Sequence, residues 1–142
     1  ESDDRGFNLF ANDISVINCD ITNTDDFGLT VGSSQVNLTV TGCTFDTCGG
    51  DDATGSLNID SDDSVAQNNV VKDSLSNGIR LDGNDNTVGS NRIINSQNGN
   101  GIATNGNDNI IYNNRISGSS SNDLGKFGTG NVYDSNLTGA AN

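Results

Sequence analysis

Three stretches of this chain repeat one another at a fixed spacing. From Gly78 it reads GIRLDGNDNTVGSNRIINSQNGN, from Gly101 GIATNGNDNIIYNNRISGSSSND, and from Gly55 GSLNIDSDDSVAQNNVVKDSLSN, a period of 23 residues. Looser copies begin near Gly6, Gly28 and Leu124, and the copy between Gly28 and Gly55 carries extra residues. Self-similarity at such a period is the mark of a solenoid, in which each repeat is one structural unit stacked on the next.

Aligning the copies produces columns. One inward column is Val16, Val40, Ala66, Val88, Ile111 and Val132; a second is Ile21, Phe45, Val71, Ile93, Ile116 and Leu137; a third is Phe7, Leu57, Ile79 and Ile102. Inward positions alternate with polar ones, the period-2 pattern of strands. Gly, Asn and Asp stand between the short apolar runs, and they tolerate left-handed turns. The expected fold is therefore all-β: a right-handed parallel β-helix of about six coils, three parallel sheets and a single domain over residues 1–142. Leu, Ile, Val and Phe together number only 33 of 142 residues. A solenoid can be built on so few because its core is thin. A further column, Cys19, Cys43, Asn69, Asn91, Asn114 and Ser135, predicts an asparagine ladder, since coils about 4.8 Å apart bring like amides within hydrogen-bonding reach.

The phrases NGIRLDGNDNTVGSNRI and NGIATNGNDNIIYNNRI resemble those of the parallel β-helix repeat proteins, the superfamily of pectate lyases, polygalacturonases, alginate epimerases and tailspikes. The resemblance covers nearly the whole chain. It implies the fold, but that fold hosts many activities.

Charge narrows the partners. The chain carries 18 Asp, one Glu and six Lys or Arg, for a net charge of −13. Such a surface excludes nucleic acid, which needs basic patches, and anionic membranes; no apolar run is long enough to span a bilayer. An extracellular, cell-surface or virion-surface setting is expected, with the chain a mature piece or a segment of a larger β-helix protein.

Four sets of residues are candidates for chemistry. Cys19 and Cys43 fall in one column on neighbouring coils, within disulfide range; a bridge would be worth roughly 3 kcal/mol, and two small buried thiols are the alternative. Asp63, Asp85 and Asp108 align in a turn column with Asp13 and Asn37. They form either a calcium site, since calcium takes oxygen ligands, or a turn that uses Asp and Asn for their backbone preferences. By resemblance, Asn23-Thr24-Asp25 and Gly50-Asp51-Asp52 are similar to polygalacturonase motifs, which would make Asp25, Asp51 and Asp52 the catalytic carboxylates. The family's His and Lys companions are missing: the chain has no His, and Asp82 follows Arg80-Leu81 where Lys would stand. Finally, Arg80 is the lone cation projecting from the first-strand face. Asn58 shares that face, and Asp60 and Asp82 are its candidate ion-pair partners; together they form a candidate saccharide-binding set.

The resulting expectation is a β-helix module that binds polysaccharide without cleaving it. A structural or assembly module that self-associates through its ends or sides, and a polygalacturonase-like hydrolase or uronate lyase, are the alternatives.

Overall fold

A computed structural model of the chain describes residues 6–50 and 55–139. Eighteen short strands form three parallel six-stranded sheets, each taking every third strand. The first sheet holds β1 (Phe7–Leu9), β4 (Leu29–Val31), β7 (Gly55–Ile59), β10 (Asn77–Leu81), β13 (Ile102–Thr104) and β16 (Leu124–Lys126). The second holds β2 (Ser15–Ile17), β5 (Thr39–Thr41), β8 (Val65–Gln67), β11 (Thr87–Gly89), β14 (Ile110–Tyr112) and β17 (Val132–Asp134). The third holds β3 (Asp20–Thr24), β6 (Thr44–Cys48), β9 (Val70–Lys72), β12 (Arg92–Ile94), β15 (Arg115–Ser117) and β18 (Leu137–Gly139). This is the expected six-coil β-solenoid.

The inward columns stack in register. Ala66, Val88 and Ile111 pair in sequence, as do Val71, Ile93 and Ile116, and all six are 0–1% exposed. In the last coil the register departs from expectation by one residue. Ile111 pairs with Tyr133 rather than Val132, and Ile116 with Thr138 rather than Leu137. The expected columns step 21 residues, from Ile111 to Val132 and from Ile116 to Leu137, whereas the observed step is 22, as it is from Ile102 to Leu124. Because strand side chains alternate, a slip of one residue turns every side chain over, and Val132 and Leu137 are accordingly exposed at 53% and 69%.

Polar side chains hold the bends. Asn91 is typical. Its Oδ1 accepts from the Asn69 N–H at 2.9 Å, its Nδ2 donates to the Ala66 carbonyl at 2.9 Å, and its own N–H donates to Asn114 Oδ1 at 2.9 Å. The ladder runs from Asn69 through Asn91 and Asn114 to Asn136, not Ser135, because of the same slip. At its other end Asn69 Oδ1 receives the Cys43 N–H.

A second buried ladder, Asn86, Asn109 and Asn131, ends on the Ser64 N–H. In both buried ladders each Oδ1 accepts from the preceding coil. In a third, on the surface, Asp62, Asn84 and Asn107 accept from the following coil.

Fourteen non-glycine residues among those described have positive φ. They fall into three columns, one per corner, led by Asp13, Asn18 and Asn23. Asp, Asn and Gly tolerate this left-handed region where bulkier residues do not. Thr47 (φ 55°) is the β-branched exception in a column otherwise made of Asn23, Asp73, Asn95 and Gly118.

Two outcomes follow. Asn91→Ala orphans a buried N–H and a buried carbonyl and should cost about 3 kcal/mol in urea unfolding. Thr47→Asn relieves the left-handed penalty and should gain about 1 kcal/mol.

Candidate binding face

The first sheet turns one column outward: Thr30, Asn58, Arg80, Ala103 and Gly125 in register. One residue beyond each strand lies a second column, in which Asp60, Asp82, Asn105 and Phe127 are tied to the coil below by backbone N–H donors. On the opposite flank Asn77 and Asn100 stack, the Asn100 N–H reaching Asn77 Oδ1 at 2.9 Å.

The saccharide-binding residues expected from the sequence are thus gathered in one place. Arg80 grips Asp82 with two donors, Nε to Oδ1 at 3.0 Å and Nη2 to Oδ2 at 2.7 Å. Of the two partners considered for Arg80, Asp82 holds this pairing. Asn105 Nδ2 adds a third donor to Asp82 Oδ1 at 2.6 Å. Asn58 Nδ2 donates to Asp60 Oδ1 at 3.0 Å and to Thr30 Oγ1 at 3.1 Å, while Asn58 Oδ1 is buried with no partner. Burial pushes the Asp60 carboxyl up from its ordinary value. The neighbouring Asp82 charge adds to this, and Arg80 and Asn58 oppose it.

Small residues shape the upper part of this face. Ala103 leaves a shallow groove bounded by Arg80, Asn100, Asn105 and Phe127. A Cβ on Gly125 would meet the side chains of Asn100 and Phe127 at 2.8 Å. Those two side chains therefore fold in over the glycine. Phe127 stays 64% exposed. It escaped the sequence reading because the slip in the last coil hid its column.

The other expected sets are placed differently. Asp63, Asp85 and Asp108 do stack, exposed, at the corner before the second sheet, with φ between 54° and 56°. Their N–H groups bond to the next coil's Asn84, Asn107 and Thr129 carbonyls. Asp suits the left-handed corner conformation that all three adopt. No group of three or more His, Cys, Asp or Glu side chains among the described residues is arranged to hold a metal ion.

Asp25 is exposed on the bend after β3. Asp51 and Asp52 lie outside the described residues.

The bridge between Cys19 and Cys43 is corrected: both are free thiols, as is Cys48. The two still share a column and interact. The Cys43 thiol instead donates to the Val16 and Thr41 carbonyls at 3.5 Å, and burial pushes its pKa up.

Two tests read this geometry. Asp60 binds its proton more tightly folded than unfolded, so its contribution is full at low pH and is lost as pH rises through the raised folded value. Asp60→Asn should therefore raise Tm at pH 7, with the gain shrinking toward pH 4 in a pH series of thermal melts. All three cysteines should react with a thiol reagent in denaturant, and only the partly exposed Cys19 in the native state.

Comparison with curated proteins and with solved structures finds no match. A family model described as "Periplasmic copper-binding protein (NosD)" matches residues 4–141. Copper favours sulfur and imidazole donors. This chain has no His and no Met, and Cys43 and Cys48 are 1% and 0% exposed. Cys43 is moreover held toward its protonated form, which does not ligate. The described residues do not fit a copper ion, so the match speaks for the coil architecture that it spans almost end to end. On that match, the chain belongs to the NosD family.

Proposed function

We propose that this chain is a β-helix module, acting outside the cytoplasm, that binds a neutral polysaccharide along the outer face of its first sheet and does not cleave it. The observation that carries this reading is the groove over Ala103, where an exposed Phe127, the Arg80–Asp82 pair and the amides of Asn100 and Asn105 meet. An aromatic ring offers a face to the apolar side of a sugar, and fixed amide and carboxylate groups offer partners to its hydroxyls. These polar groups recur at the coil spacing of about 4.8 Å, comparable to the length of one pyranose unit. A chain of sugars lying along the solenoid axis would meet the same kind of contact at each coil.

Two features argue for a neutral ligand. The chain's net charge is −13, and the cation on this face is already committed to Asp82. A polyuronate would find little to neutralise it. The lack of turnover rests on the hydrolase-like set: glycoside cleavage needs two carboxyl groups in separate roles, Asp25 stands exposed on a bend, and the chain has no His to accompany it. The family's description as periplasmic supports a setting outside the cytoplasm.

Binding to a neutral-glycan array tests this reading. Arg80→Ala and Phe127→Ala should each weaken binding about tenfold, the loss of one aromatic or bidentate contact, with no reducing ends released by wild type. Reducing ends released by wild type and lost in Asp25→Asn/Asp52→Asn would return the chain to the hydrolase reading.

A further inference from the structure

The second sheet also turns two columns outward, the first and third residues of its six strands. Of these twelve positions only Asp134 is charged, in a chain of net charge −13. Within this nearly uncharged face Tyr112 lies flat. A Cβ on Gly89, one coil before, would fall 2.4 Å from two of its ring carbons, so the ring covers the glycine. The hydroxyl reaches a further coil, where Gln67 Nε2 donates to it at 2.7 Å. Beside the ring stands Ile110, 47% exposed.

We propose that this face is a second saccharide-binding surface, with Tyr112 as its stacking platform, Gln67 as the brace and Gly89 as the seat that keeps the ring flat. A ring already fixed in place loses little freedom on binding, and that preorganisation favours affinity. The occupant follows from size and charge. Three-residue strands on six coils make a face of roughly 10 by 24 Å, about a third of the ~800 Å² that each partner of a stable protein interface buries. A second copy of the chain would also bring its own corner column of Asp13, Asp63, Asp85 and Asp108 against this one. The bordering carboxylates repel polyanions too. A narrow, uncharged chain of sugars fits both limits. The surface takes the same ligand class as the first-sheet groove but shares no residue with it.

The test uses cellohexaose, mannohexaose and chitohexaose. Tyr133 is the chain's other tyrosine, turned toward the core with a hydroxyl that has no partner, so Tyr133→Phe leaves Tyr112 as the single fluorescent reporter. At least one oligosaccharide should change its emission saturably, and should still do so in Arg80→Ala/Phe127→Ala. By calorimetry, Tyr112→Ala and Gly89→Ala should each weaken this binding about fivefold or more, and Tyr112→Phe should stay near wild type because it keeps the ring. Thermal melts verify folding; if Gly89→Ala fails to fold, Tyr112→Ala carries the result. Binding with no change at Tyr112, or Tyr112→Ala binding like wild type, overturns this proposal and leaves the first-sheet groove standing. If none of the three binds any variant, this proposal falls, and the neutral-glycan array decides the first-sheet groove by itself.

Discussion

Every coil of this molecule turns three corners, and at each corner the backbone leaves one sheet before it enters the next. Peptide groups there cannot all be met by strand pairing, and a buried, unpaired peptide group costs as much as a lost hydrogen bond. The asparagine ladders answer this constraint. One side-chain amide both accepts from a neighbouring N–H and donates to a neighbouring carbonyl, as Asn91 does between Asn69 and Ala66. Without it the thin core of Val, Ile and Leu would not hold corners tight enough for the sheets to stay in register.

The same stacking generates the surface. A position that faces outward in one coil faces outward in all, so each face is a set of columns whose chemistry changes slowly along the axis. The first-sheet face runs from Thr30 through Arg80 to Gly125. Its groove exists because a later coil places Ala where the earlier ones place Asn and Arg. The second-sheet face becomes flat and aromatic where Gly89 precedes Tyr112. In both cases a small residue in one coil makes room for a large one in another.

Much of this was legible in the sequence, because repetition makes the alignment of coils its own evidence. The sheets, the inward columns and the buried ladder through Asn69, Asn91 and Asn114 all follow from the 23-residue period. The candidate face was readable through Arg80 and its acidic neighbours. What escaped has a common physical origin. Apolar residue type aligns Val132 and Leu137 with Ile111 and Ile116, a step of 21, where the backbone takes 22; with a two-residue side-chain alternation that difference inverted the last coil and concealed Phe127 and Asn136. The second ladder through Asn86 and Asn109 was hidden for another reason. In a stretch such as Asn84-Asp85-Asn86 composition cannot say which residue points in, which takes the left-handed turn and which faces water, and the three adjacent residues do one each.

The ladders have a sense as well as a position. In the two buried ladders each Oδ1 looks back to the preceding coil, while in the surface ladder of Asp62, Asn84 and Asn107 each looks forward to the next. Rows of aligned amides add their dipoles, as peptide groups do along a helix, so a solenoid with one ladder would carry a field that grows with every coil. Opposed ladders subtract. The surface ladder thus offsets part of the polarity that the two buried ladders add with each coil.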